Sequence, residues 1–475
     1  MLRAPRALGA TLAHESLAVV VYSGVVLLLA VLVPEQLSSD GWLALVGGRV
    51  IAHHGVPHHD TLAALTSGRD WIDQQWLGQL GTYGIDWAGG IRLLLAVNVV
   101  LVSGAFVAAG VYARRHGARP GTLALVVLAA MIPFLVTAMN VRTQSFVYLP
   151  FVGLIALLVR DRPMSGRSTA AALVVLVLWA NVHGSALLAA GLIASRGAVD
   201  LWRTRRDPTA WVLLLAPWPC LLVSPYHVHL VSYYHRTAFN SSFATYLSQW
   251  APTTFSPISA PLLLLAFMTV WMLGRSAASY TLYERLLLGV AVLLALLAVR
   301  NWTFACLLLV MLSPQGFDRA LRRKAARPAP ALGAVVATVA ALAALVSIVG
   351  ALSTPHVKLT RNYSSGVARA AAEAASRPGA QVYAGIAYAD WLLWLHPELA
   401  GKVVFDVRYE LLHAPEVKRL VLFDAGSQTD APLGRPVAFV LDPDVEKDAL
   451  TGIRPDVRTV YKTDHAVVAV ARNGQ

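Results

Sequence analysis

Apolar residues in this chain fall into long uninterrupted runs separated by short basic segments, until about residue 352 where the pattern changes to brief bursts of strand length. Read with a window of about 19 residues, the runs predict spans at 17–33, 91–112 and 120–139. Further spans are expected at 144–160, 169–182, 184–195, 211–226, 261–273, 286–299, 302–312 and 331–352. Several are shorter than the roughly 17 residues that cross a bilayer comfortably, so the pair flanking His183 also reads as a re-entrant hairpin. Eleven spans is the count the pattern favours. The remainder, 353–475, has strand-length bursts at 381–387, 402–407, 437–441 and 466–471, with helical patterns at 364–376 and 415–424 between them. Such interleaving predicts a small α/β domain. The expected organisation is therefore a mainly α polytopic membrane domain, 1–352, followed by an α/β domain, 353–475.

Composition agrees with that class. Hydrophobic residues make up 57% of 475 and charged ones 14%, with a mean hydropathy of +0.58, more apolar side chain than a soluble core hides. The formal charge of +13 does not point to nucleic acid, because the arginines sit in short loops between apolar runs, where they act as orientation signals. Both cysteines, Cys220 and Cys306, lie inside apolar runs, which argues against a disulfide framework or a thiolate metal site.

With eleven spans and the N-terminus in the cytoplasm, the cytoplasmic loops collect Arg3, Arg6, Arg114, Arg115, Arg119 and Arg162. They also collect Arg167, Arg196, Arg203, Arg205, Arg206, Arg275, Arg285, Arg319, Arg322, Arg323, Lys324 and Arg327. The outer loops hold only Arg49, Arg69, Arg92, Arg142, Arg236 and Arg300, an imbalance of about threefold in the sense of the positive-inside rule. The expected location is an integral plasma membrane, with loop 35–90 and the C-terminal domain outside.

Loop 35–90 concentrates polar chemistry. It carries Glu35, Asp40, Asp60, Asp70, Asp73 and Asp86, and the histidines His53, His54, His58 and His59. Asp60, beside the Gly55 and Pro57 turn, is a candidate general base; the structural alternative is a loop acid or helix N-cap. His54, His58 and His59 are candidates for a divalent metal, but adjacent histidines point in different directions and lack a one-face helical spacing. Asp73 lies between Trp71 and Trp76, two indoles that suit either a sugar-stacking platform or an interfacial anchor. Arg142, His183 and Arg300 all fall at the outer ends of spans. Arginine there opposes the charge rule and can hold a phosphate bidentately, or simply snorkel to lipid headgroups. In the tail, alternation predicts Asp406, Arg408 and Glu410 on one strand face, either as an ion-pair network or as a roof over the site. Intramembrane acids and bases are lacking, against ion-coupled transport.

These residues carry a resemblance. Asp60-Thr61-Leu62, Gly68-Arg69-Asp70-Trp71-Ile72-Asp73-Gln74-Gln75-Trp76-Leu77, Arg142-Thr143-Gln144 and Trp179-Ala180-Asn181-Val182-His183-Gly184 come first in the chain. Gln249-Trp250-Ala251-Pro252 and Val404-Phe405-Asp406-Val407-Arg408-Tyr409-Glu410 follow. Together they resemble a bacterial group within the GT-C class of integral-membrane glycosyltransferases. The group has a Glu-Trp pair where this chain has Gln249-Trp250, and Asn-Pro where it has Ser224-Pro225. The resemblance implies sugar transfer from a polyprenyl-phosphate donor to a cell-envelope glycan, lipid or protein acceptor at the outer membrane face. It assigns Asp60 as base with Asp73 in reserve, and outer arginines as holders of the lipid phosphate. No cofactor is firmly implied. A flippase of lipid-linked sugars and a non-catalytic envelope-assembly protein are the alternatives from other classes.

Overall fold

The computed structural model describes residues 15–32, 36–160, 162–238, 241–321, 330–355, 359–426, 436–453 and 457–472. Glu35 and the orientation residues Arg3, Arg6, Arg322, Arg323, Lys324 and Arg327 lie outside these. The expected apolar runs are helical except 211–226, which is split into two short helices ending at Cys220, with turns from Leu221 to Tyr226. In chain order the helices are α1 (Ser16–Val31), α2 (Ser39–His54), α3 (Trp76–Arg115), α4 (Pro120–Ala138), α5 (Ser145–Leu158), α6 (Gly166–Ala180) and α7 (Ala186–Arg203). Then come α8 (Pro208–Leu215), α9 (Pro217–Cys220), α10 (His229–Ala238), α11 (Ser241–Tyr246), α12 (Ala260–Ser276), α13 (Leu282–Leu297), α14 (Trp302–Ala320) and α15 (Pro330–Ser353). By length and composition α3, α4, α12 and α15 can cross a membrane unaided, and α1, α5 and α6 are shorter apolar helices. Apolar side chains such as Val100, Leu128, Phe267 and Val346 stand exposed on these helices, the surface expected toward lipid. The chain is an integral membrane protein.

Local sequence explains the helix ends. Ser165 caps α6 by accepting from the Ser168 amide, and Asp207 caps α8 from the Thr209 amide. Thr281 and Glu284 form a reciprocal capping box on α13, and Pro120 occupies the first turn of α4. Helix α3 is kinked at Gly89 and Gly90, where Gly90 has φ 70°, a conformation that favours glycine. The kink divides the segment 76–88 from the span beginning at Ile91. Helix α14 is buried along nearly its whole length and forms the centre of the bundle.

After α15 come α16 (Ser365–Ala374), β1 (Gln381–Ala384), α17 (Ala389–Leu395), α18 (Ala414–Asp424), β2 (Pro436–Leu441), α19 (Lys447–Ile453), β3 (Val457–Lys462) and β4 (Val467–Ala471). The sheet order is β1-β2-β4-β3, parallel for β1 with β2 and antiparallel elsewhere. Strand β3 was not expected from the sequence because its residues after Val457 are exposed and alternate only weakly. The expected strand 402–407 is reduced to bridges at Val403. Its chain turns away where the Asp406 carboxylate accepts the Arg408 amide at 2.9 Å, an Asx turn that ends the pairing.

Loop and C-terminal domain are joined through backbone and side chains. Ala64 and Leu65 amides donate to the carbonyls of Val403 and Val404, and the Gly401 amide donates to Leu62. Arg69 grips Glu416 through two bonds of 2.8 and 2.6 Å, and Arg49 donates to the Leu393 and Trp394 carbonyls. Arg69 and Arg49 thus hold the two parts together.

Candidate functional site

The Asn98 side chain on α3, apolar around it, fixes the turn that presents Arg142. Its amide donates to the Met139 carbonyl at 2.7 Å and to Gln36 at 3.2 Å, while its oxygen accepts from Ser145 at 2.7 Å. The Val141 amide donates to the Gln36 carbonyl, and Thr143 donates to Gln75 at 2.6 Å. Held this way, Arg142 reaches Asp40 at 2.9 Å and donates to Gln249 at 3.2 Å. Asp40 lies in the first turn of α2, where a carboxylate is favoured by the helix dipole.

Arg300, in the short turn before α14, stacks its guanidinium 3.7 Å above the Trp250 ring, and its amide donates to the Gln249 carbonyl. Burying a cation against an indole while leaving its donors free suits an anion more than a lipid-facing tether does. His183 sits on the turn between α6 and α7. Its Nδ1 receives the Ser185 amide at 3.1 Å and lies 2.8 Å from the Ser185 hydroxyl, which accepts from Trp179. Two donors on Nδ1 put the proton on Nε2. Burial, then Arg300 and Arg142, push its pKa down to about 3, so the ring is a neutral donor at ordinary pH.

These groups converge on one cavity of about 400 Å³, lined by Asp40, Gln74, Gln75, Arg142, His183, Tyr233, Tyr246, Gln249, Trp250, Arg300, Arg408 and Glu410 among others. One wall is cationic, from Arg142, Arg300 and the His183 donor. The C-terminal domain contributes Arg408 and Glu410 to the lining, and burial raises the Glu410 carboxyl to about 7.

Asp60 does not reach this cavity. It is 1% exposed, with Oδ1 accepting from the Leu62 amide at 2.9 Å and from Arg408 Nη2 at 2.7 Å, and Oδ2 from Thr66 at 2.5 Å. Three of the carboxylate's four acceptor positions are occupied, and its burial seals the group from the cavity. Arg408 also holds Asp406 and lies over the Trp71 ring at 4.2 Å. The Asp60, Arg408 and Asp406 cluster is therefore the side-chain core of the loop-to-domain junction, and Trp71 is its floor. Asp73 is buried too, accepting from Gln79 at 3.0 Å, and burial raises it to about 7. Trp76 donates to Asn181 at 2.8 Å and packs beside Ile72, Tyr226 and Leu230. Of the expected platform residues Trp71, Trp76, Gln249 and Trp250, only Gln249 and Trp250 line the cavity.

The histidines disperse. His59 pairs with Asp70 at 3.3 Å, His58 packs on Tyr226 with ring centres 5.7 Å apart, and His54 is exposed. Among the described residues no three His, Cys, Asp or Glu side chains come together as a metal cage. Asp40, the first aspartate of the loop, is the acid in the cavity that sequence reasoning passed over. Its signal was position, immediately after the first span, which keeps it at the depth of Arg142 and Arg300.

No family model matches the sequence, and no curated protein matches it. Among solved structures, the chain is similar to ArnT from Cupriavidus metallidurans in the apo state, at 15% identity and a TM-score of 0.49, over 95% of this chain and 97% of that one. It is also similar to the apo oligosaccharyltransferase of Archaeoglobus fulgidus, at 10% identity and a TM-score of 0.48, over 97% and 75% of the two chains. A third similarity is to the same ArnT bound to undecaprenyl phosphate, at 14% identity and a TM-score of 0.43, over 96% and 98%.

Proposed function

We propose that this protein transfers a sugar from a polyprenyl-phosphate donor to a hydroxyl acceptor, in a cavity facing the outer side of the membrane, with its N-terminus in the cytoplasm. The observation that carries the reading is the pairing of a cationic wall with a partly free carboxylate. Arg142, Arg300 and the Nε2 donor of His183 bound a space that suits a phosphate. Asp40, bound to Arg142 through one oxygen and with a side chain 37% exposed, keeps capacity to accept a proton.

In this mechanism the acceptor oxygen attacks the sugar carbon attached to the lipid phosphate. The new glycosidic bond forms as the carbon to phosphate-oxygen bond breaks. The acceptor's proton passes to Asp40, which replaces Asp60 as our candidate base because Asp60 is sealed in the loop-to-domain junction while Asp40 lines the cavity. The bonding electrons leave with the lipid phosphate, whose added charge is met by Arg142 and Arg300, and a fixed cationic wall stabilises that charge as it develops. Gln249 orients Arg142 and Trp250 orients Arg300.

The test is incubation of the purified protein with a panel of polyprenyl-phosphate sugars and envelope acceptors, following release of lipid phosphate. Cleavage that depends on Asp40 supports transfer. Movement of the intact lipid-linked sugar across a bilayer without cleavage would favour a flippase, and neither activity an assembly role.

A further inference from the structure

The Arg408 side chain is 1% exposed and its orientation is fixed on three sides. Nε and Nη2 donate to Asp406, Nη2 also donates to Asp60, and the guanidinium plane rests against Trp71. Nη1 has no partner, although it is buried and belongs to a residue that lines the cavity. A buried charged donor left unmade is costly, and native proteins leave few. Because Arg408 is a lining residue of the cavity, a ligand bound there is the source of the missing partner.

The chemistry of that partner follows from the surrounding charge. Arg408 already balances two carboxylates, Asp60 and Asp406, so this corner is net negative before Glu410 is counted. A further anion here would meet repulsion that the free N–H groups do not offset. A hydroxyl meets none, and it can accept from Nη1 while donating to a Glu410 carboxylate oxygen. Negative charge is welcome instead beside Arg142 and Arg300, which line the same cavity.

Resting on the glycosyl-transfer reading above, we infer that Arg408 Nη1 and Glu410 form a hydroxyl subsite for the sugar carried on the lipid phosphate, so that the enzyme selects an uncharged sugar over a uronic acid. The phosphate lies on the Arg142 and Arg300 wall, and the sugar's hydroxyls face the C-terminal domain. Arg408 thus joins the loop to the domain with two of its nitrogens and reads the substrate with the third.

Equilibrium binding by the full-length protein in detergent separates the possibilities with three probes: undecaprenyl phosphate, its glucosyl ester and its glucuronosyl ester. Wild type should bind the glucosyl lipid at least tenfold more tightly than the glucuronosyl lipid. Glu410→Ala should weaken the glucosyl lipid about tenfold and undecaprenyl phosphate less than twofold, while Arg142→Ala weakens all three. Arg408→Lys, which keeps a cation for Asp60 and Asp406 but lacks Nη1, should reproduce the Glu410→Ala pattern. Equal loss for both lipids in Glu410→Ala, no loss for either, or glucuronosyl binding as tight as glucosyl would overturn the subsite while leaving the phosphate wall standing. Failure of wild type to bind undecaprenyl phosphate itself would remove the transfer reading and the subsite with it.

Discussion

Replacing Asp60 by Asn distinguishes a structural acid from a catalytic one. The carboxylate accepts the Leu62 amide at 2.9 Å, Thr66 at 2.5 Å and Arg408 at 2.7 Å, at 1% exposure. Asparagine with its oxygen at the Oδ1 position still accepts from Leu62 and Arg408, but it turns an amide donor toward Thr66 and removes the charge. Breaking a buried pair by removing one partner costs about 3–5 kcal/mol. Asp406 still neutralises Arg408, so the lower end, about 3 kcal/mol, applies here. Against a typical domain stability of about 5–15 kcal/mol, the junction should open measurably. Hydrogen exchange is the assay. The Ala64, Leu65 and Gly401 amides, which bridge loop and domain, should lose protection in Asp60→Asn while amides in α14 keep theirs. Thermal unfolding should fall by several degrees. Sugar transfer, normalised to the folded fraction, should drop less than tenfold. Asp40→Asn should do the reverse, leaving exchange unchanged and slowing transfer by about 10²–10⁴, the range for loss of a general base. A fully protected Asp60→Asn protein with transfer reduced a hundredfold would refute the reasoning and return the base to Asp60.

Arg142→Ala and Arg300→Ala should each weaken undecaprenyl phosphate binding by about 10–100-fold, the size expected of lost charge-assisted bonds of about 1.5–3 kcal/mol; unchanged titration curves would remove the phosphate wall. Asp73 has a folded pKa raised by burial from 3.8 to about 7. The folded state therefore holds a proton that the unfolded state releases, and stability is full below pH 4 and declines as pH rises toward 7. Asp73→Asn should flatten that decline and raise the melting temperature at pH 8, whereas an identical pH profile in the variant would show that Asp73 does not cause it. Gly48 packs against α3 so closely that a Cβ would lie 2.3 Å from the Gln79 carbonyl oxygen, so Gly48→Ala should destabilise by about 1–3 kcal/mol or more through overpacking, read as a lowered melting temperature. An unshifted transition would mean the two helices can separate without cost.

The apolar runs by themselves determined the class and most of the membrane helices, but not α2, α10 or α11, because a bilayer demands long apolar segments with their backbone bonds satisfied internally. The kink at Gly90 marks the loop boundary expected from hydropathy. Arg142, His183 and Arg300 were legible as a set because each sits at a span end, and membrane geometry puts span ends at common depths. Gln249 and Trp250 were legible only through the motif resemblance. What sequence could not assign was the role of each acid. Asp40 and Asp60 are the same residue type in the same loop, and nothing local separates an exposed carboxylate beside Arg142 from one sealed under Arg408. That difference is made by residues some 350 positions away in the chain, at 401–416, whose backbone pairs with the loop and buries Asp60. Alternation likewise suggested a strand through Asp406, Arg408 and Glu410, but the Asx turn at Asp406 redirects them, sending Arg408 into the junction and Glu410 to the cavity. Hydrophobic periodicity is a property of neighbours along the chain and survives in the sequence. Burial and pairing of a charge depend on what folds over it, and only the tertiary structure decides that.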